Sequence, residues 1–175
     1  LRAWPKWLKK QPKLYKALFI QILDLAGRSH ILSNYFSNLS VTEVGKVNVY
    51  LRNLRLSDAD YMEEFIQDGD IAKNLLFTRY PYSKENMIEF IKSSWNDRRN
   101  VHYAITNDAD EYIGTISLKN ISCIDRNAEY AIVTRRKFWG QGVALQATDK
   151  ILLYGFSTLN LNKIYLNVLR SNERA

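Results

Sequence analysis

The sequence predicts an α+β domain, a mixed but mostly antiparallel sheet flanked by helices. Three observations lead there. From Val47 onward, strand-like alternation comes first and two stretches of helical spacing follow. Three strand-like runs then succeed one another across short turns, the pattern of an antiparallel meander. Last, a glycine-punctuated turn opens a long apolar helix and one further strand, which a helical crossover returns parallel to its predecessor.

Taken in order, residues 47–54 alternate apolar and polar side chains, as a half-buried strand does. Ser57 or Asp58 is expected to cap the first helix, with Glu63 and Glu64 near the positive end of its dipole. Pro81-Tyr82-Ser83 opens a second helix carrying Asn86, Met87, Phe90, Ile91 and Trp95. Strands are predicted over 101–106, 111–121 and 128–134, with turns at 107–110 and 125–127. A helix over 142–159 and a strand over 163–169 complete the pattern. Residues 171–175 read as the start of another helix and the chain begins at Leu1, so the fold is expected to be incomplete at its C-terminus, within a longer protein.

The first 46 residues have a different texture. They hold eight Lys/Arg against Asp24 and Glu43, whereas the rest of the chain has 17 basic and 16 acidic side chains. The basic isoelectric point of about 9.4 therefore describes a leader and gives the main domain no nucleic-acid partner. Leu14, Leu18, Ile22 and Leu25 recur at helical spacing up to Gly27, and residues 29–45 read as a Ser/Asn-rich linker. A basic helix with Trp4 and Trp7 beside it suits peripheral contact with a membrane, but packing on another part of the protein is preferred. Two units follow, a basic helical leader with its linker at 1–46 and a domain at 47–175. The single Cys123 excludes an internal disulfide, fits a reducing cytoplasmic setting, and is expected to be a small buried side chain. His30 and His102 lack ligand spacing, so no metal is expected.

The chemistry concentrates in the run Arg135-Arg136-Lys137-Phe138-Trp139-Gly140-Gln141-Gly142-Val143-Ala144-Leu145, between a strand and a helix. Closely spaced glycines let backbone approach a ligand, and the first helical turn offers unpaired amides and a positive dipole end. Such a place suits a diphosphate. The chain lacks the nucleotide-hydrolase P-loop pattern, and Leu145 stands where the third glycine of a dinucleotide fingerprint belongs.

The run resembles the acetyl-CoA signature of the GNAT superfamily, [RQ]-x-x-G-x-[GA], with Lys137 at its first position and Gly140 and Gly142 at the small ones. Tyr154-Gly155-Phe156 and Ser171-Asn172-Glu173-Arg174-Ala175 extend the likeness over residues 47–175. The resemblance implies an N-acetyltransferase with acetyl-CoA as donor. Ile132, Val133 and Thr134 would pair with the pantetheine arm. Phe138, Trp139, Gly140, Gln141, Gly142 and Val143 would hold the pyrophosphate by their amides. Asn172 would orient the arm or cap the last helix. Glu129 is the expected catalytic base or water-positioning residue, because an ammonium must lose a proton before it attacks a thioester. The family's leaving-group tyrosine is expected beyond Ala175, so the chain as it stands is expected to be inactive if it ends there.

Residues 116–121 and 127–130 resemble enzymes acting on nucleotide-linked amino sugars, and the opening at 54–60 resembles ribosomal-protein N-terminal acetylases. The expected acceptor is a small primary amine, amino sugars first. Arg79 and Tyr82, in the aromatic segment 77–82, are the candidate acceptor wall. The rival reading is a noncatalytic acyl-CoA-binding or assembly module.

Overall fold

A computed structural model describes residues 47–75, 83–169 and 172, all within the unit Val44–Ala175. Five strands form one sheet in the order β1-β2-β3-β4-β5. They are β1 (Tyr50–Asn53), β2 (Val101–Thr106), β3 (Tyr112–Ser122), β4 (Asn127–Thr134) and β5 (Lys163–Leu166). The first three pairings are antiparallel, and β4 pairs with β5 in parallel. The expected mixed sheet is therefore present.

Helices α1 (Ala59–Gln67) and α2 (Gly69–Ala72) follow β1, and α3 (Lys84–Ser94) leads to β2. The α1 side chains Ala59, Met62 and Phe65 recur every third residue and are buried. With Met87 and Ile91 of α3 they form a core against Leu54, Ile71, Ala104 and Tyr112. Ser83 caps α3 as its sequence implies: its hydroxyl accepts from the Asn86 amide at 3.4 Å, while the Asn86 side chain accepts from the Ser83 amide at 3.0 Å.

Helix α4 (Val143–Leu153) makes the crossover from β4 to β5 and runs into a π-helical turn at Tyr154–Thr158. It covers the other face of the sheet. Ala104, Thr115 and Val133 share one cross-strand row beneath α1 and α3, so Tyr130, an odd number of residues from Val133, points the opposite way. There its hydroxyl meets Thr148 of α4 at 2.7 Å. Val143, Ala147, Ile151 and Leu152 bury the inner side of α4, each of the larger ones contributing roughly 1.5–3 kcal/mol.

Several expectations need correction. Neither Ser57 nor Asp58 caps α1 with its side chain. Asp58 is 1 % exposed and instead accepts from the Arg55 amide at 2.8 Å and both ends of the Arg52 guanidinium at 2.8 and 2.9 Å. A 3-10 turn at Leu56–Asp58 carries it there. The short α2 was not expected; Asp68 starts it by accepting from the amides of Asp70 and Ile71. Cys123 is exposed, because the β3–β4 turn lifts it away from the sheet. Among the described residues no helix is long and apolar enough to cross a membrane.

Candidate functional site

One strand is open on one side. β4 pairs with β3 from Asn127 to Thr134, but with β5 only from Asn127 to Tyr130. Among the described residues, 131–134 thus have β3 on one edge and no strand on the other. Backbone alternation decides which groups face the gap. The Arg135 amide donates to Ile113 of the β3 side at 2.8 Å, so Val133, two residues earlier, also turns its backbone toward β3. Ile132 and Thr134 turn theirs toward the open edge. Of the three residues expected to pair with an extended ligand, Val133 therefore contributes side-chain packing in the α1/α3 core. The other two offer backbone groups to an added strand-like partner.

The open edge runs straight into the glycine turn. Phe138 and Val143 are buried and anchor the turn at both ends. Between them the half-buried Trp139 donates its indole N–H to the Thr134 carbonyl at 3.1 Å, and Gln141 donates its side-chain amide to the Lys137 carbonyl at 2.8 Å. Gly140 and Gly142 both have φ of 74°, a region that side chains other than glycine's enter at a cost of roughly 1–2 kcal/mol. Gly142 is the residue before α4, and the first helical bond runs from the Gln146 amide to its carbonyl at 3.1 Å. The amides of Val143, Ala144 and Leu145 precede that ladder and point out of the helix's positive end. An arm bearing amides and ending in a diphosphate fits this continuous edge and turn.

The three basic residues of the motif are each paired with carboxylates. Arg135 is 9 % exposed and grips Glu64 at 2.8 and 2.9 Å, Glu111 at 3.2 Å and the Tyr112 carbonyl at 3.0 Å. Its guanidinium also lies 4.5 Å from the centre of the Tyr61 ring. Arg136 holds Asp68 and Asp70, and its hydrogen bonds keep the Asp68 carboxyl low, at about 2. Lys137 bonds Glu111. Each of these charges is already matched by a carboxylate, so the positive character left at the turn is that of its backbone amides.

On the α1/α3 face, three rows cross the strands beside the gap: Thr115 with Val133, Ser117 with Ala131, and Lys119 with Glu129. Glu129 accepts from Lys119 at 3.1 Å and from the Asn120 side chain at 3.3 Å. Burial raises its carboxyl, but Lys119 and the amides of Asn167 and Asn120 outweigh that and hold it below the ordinary glutamate value. It is an ionised carboxylate of reduced basicity. The neighbouring row extends to β2, where His102 Nδ1 meets the Ser117 hydroxyl at 2.8 Å. His102 lacks ligand spacing in the sequence, and only the strand register brings it into line with Ala131. Tyr130 is pushed up to about 12 by burial and is committed to Thr148. The Asn172 amide donates to the Leu169 carbonyl at 2.9 Å, after β5. Arg79 and Tyr82 lie outside the described residues. Among the described residues no group of His, Cys, Asp and Glu is arranged to hold a metal ion.

Comparisons with known proteins converge on one family. A family model described as an acetyltransferase (GNAT) domain matches residues 48–175. An uncharacterized N-acetyltransferase, p20 of Bacillus licheniformis, is 32% identical over 125 residues, covering 70% of each chain. The spermidine N(1)-acetyltransferase of Escherichia coli (strain K12) is 27% identical over 128 residues, 73% of this chain and 68% of that one. Among solved structures, spermidine N-acetyltransferase from Vibrio cholerae in complex with CoA and spermine superposes with a TM-score of 0.65 at 27% identity. That match covers 71% of this chain and 73% of the other.

Proposed function

The chain belongs to the GNAT acetyltransferase family, and from that premise we propose that it acetylates a primary amine of a small polyamine such as spermidine. The activity itself is N-acetylation dependent on acetyl-CoA. The observation that carries the site assignment is the β4 edge left open from residue 131 and continuous with the Gly140/Gly142 turn. Bound there, acetyl-CoA supplies a thioester carbonyl open to attack by an amine.

The chain's own residues divide the remaining work. The backbone groups of Ile132 and Thr134 hold the amide-bearing arm as an added strand would. The first-turn amides of α4 hold the diphosphate, with Phe138 and Val143 anchoring the turn and Trp139, Gln141 and the two glycines setting its path. Asn172, which follows β5 and bonds the Leu169 carbonyl, orients the arm. Glu129, ionised and shared with Lys119, is a weak base under this reading, and its part is to hold the acceptor's ammonium by charge. Arg79 and Tyr82 are retained as the proposed acceptor wall.

The acceptor is chosen on the relatives. Those reported above with a named substrate act on spermidine, so a polyamine takes precedence over the nucleotide-linked amino sugar to which the sequence pointed. The test is a competition of spermidine, a peptide with a free N-terminus and a nucleotide-linked amino sugar for limiting acetyl-CoA, with products read by mass spectrometry. N-acetylspermidine is the expected main product. Preferential acetylation of the sugar or peptide would overturn the polyamine reading.

A further inference from the structure

The reaction releases protons that the described contacts of Glu129 are poorly suited to take. As the amine nitrogen bonds to the acetyl carbonyl and the carbon–sulfur bond breaks, an alkylammonium loses two of its three protons. One ends on the departing sulfur as a thiol, and the other must reach solvent. Glu129 is in the basic form, but Lys119 and two side-chain amides hold its oxygens. The molecule offers another route one row away.

We propose that Ser117 and His102 form the path by which the acceptor amine's proton leaves, with the imidazole receiving it through the Ser117 hydroxyl. The inference rests on the amine-acetylating reading given above. Its geometry is a straight row: His102 of β2 opposes Ser117 of β3, which opposes Ala131 of β4. Ala131 is the residue at which β5 has left β4 and the open edge begins. Phe90 of α3 packs on the His102 end of this row, and among the described residues the Ala131 methyl is the row's only side chain between Ser117 and the gap. The Ser117 hydroxyl lies 2.8 Å from His102 Nδ1, within reach for proton transfer. With the imidazole proton on Nε2, Nδ1 accepts from the hydroxyl. The hydroxyl can then take a proton from the ammonium while passing its own to the ring.

The far side of the row opens to solvent. His102 lines a cavity of about 410 Å³ with Asn53, Leu54, Trp95, Asp97 and Tyr154. This notch forms where β1 stops at Asn53 while β2 continues to Val101. An imidazolium formed at His102 therefore has a polar outlet, with the Asp97 carboxylate on its wall. Burial lowers the His102 pKa, Asp97 opposes that, and Lys119 of β3 adds to it. From α3, Phe90 presents only an uncharged ring, 4.9 Å away and edge-on. The ring is thus neutral and ready to accept near pH 7, and it sheds its proton readily afterwards.

Spermidine turnover by the full-length protein, with the residues expected beyond Ala175 included, measured from pH 6 to 9.5 for the wild type, His102→Gln and Ser117→Ala, tests the path. Near pH 7 each variant is expected to lose roughly a hundredfold or more in kcat, the general-base range. The gap should close as pH approaches the amine's own pKa near about 10.4. KM for acetyl-CoA should stay constant, the double variant should be no slower than the worse single one, and Ser117→Thr should recover most of the rate. A pH–rate profile parallel to wild type in both variants would overturn the path, since loss of structure alone shifts rate equally at every pH. A second readout needs no turnover: the His102 imidazole resonances should move when spermidine is added with CoA present. Unmoved resonances overturn the proposal, whereas absence of turnover with every amine tested counts against the proposed function itself.

Discussion

The indole N–H of Trp139 donates to the Thr134 carbonyl at 3.1 Å, clasping the glycine turn back onto the end of the strand that precedes it. That bond occupies one of the groups facing the open edge and sets the distance between edge and turn. Trp139→Phe removes the donor and keeps the ring that Arg136 covers at 5.2 Å. A lost hydrogen bond of about 1 kcal/mol corresponds to roughly a fivefold change. Calorimetry should therefore show acetyl-CoA binding about fivefold weaker, with little change in thermal stability. Unchanged affinity would mean that the clasp does not shape the donor site.

Arg135 is expected to behave as a structural residue despite its place in the motif. Arg135→Ala strips a buried guanidinium from Glu64, Glu111 and the Tyr112 carbonyl. Glu64 is 47 % exposed and regains water, which limits the loss to about 2 kcal/mol, near the lower part of the range for charged hydrogen bonds. Denaturant unfolding should report that loss, while donor affinity in the folded fraction stays close to wild type. A large fall in affinity at unchanged stability would instead place Arg135 in the phosphate site.

Glu129 is expected to act on acceptor binding. Glu129→Gln keeps size and hydrogen bonding but removes the charge, and a charged hydrogen bond of about 1.5–3 kcal/mol predicts at least tenfold higher KM for spermidine. Acetyl-CoA affinity should not change. The pH dependence follows from the lowered carboxyl of Glu129. Its ion pair with Lys119 contributes stability above the ordinary glutamate value of 4.5 and loses it as pH falls through the lower folded value. The Gln variant should unfold with a flatter acid limb than wild type. A fall in kcat at constant spermidine KM would make Glu129 the base instead.

Much of this architecture is readable from the chain, and the remainder fails for identifiable reasons. β2 spans the residues its alternation marks, Ser83 caps α3, and the parallel return of β5 follows from the helix between it and β4. Gly140 and Gly142 take the left-handed conformation that makes glycine necessary there. Local pattern is silent on partners distant in sequence. Arg135 and Glu64 are 71 residues apart, and nothing near either announces the other. Asp58 fails for a local reason: a good capping residue is taken over by the Arg52 guanidinium six residues earlier, a competing partner that the capping pattern does not show. Which of Ile132, Val133 and Thr134 faces the open edge depends on strand register, and one residue of slip would reverse the answer. His102 joins the site only through that register.

Residues 1–46 carry most of the chain's excess positive charge, and we propose that the donor site does not need them. A chain beginning at Val47 keeps the Val47 carbonyl that Gln146 of α4 binds at 2.9 Å. It should unfold cooperatively and bind acetyl-CoA with the affinity of the full chain. Loss of cooperative unfolding would make the leader part of the domain core.

The most direct test of the account is amide hydrogen exchange on the full chain with and without acetyl-CoA, read residue by residue. The open β4 edge and the glycine turn are predicted to hold the donor. Protection should therefore appear at the amides of Ile132, Thr134 and the first turn of α4, Val143 to Leu145. Val133, already bonded toward β3, should change little. Measurable acetyl-CoA binding with no added protection at Ile132, Thr134 and Val143 to Leu145 would contradict the site, as would an absence of binding.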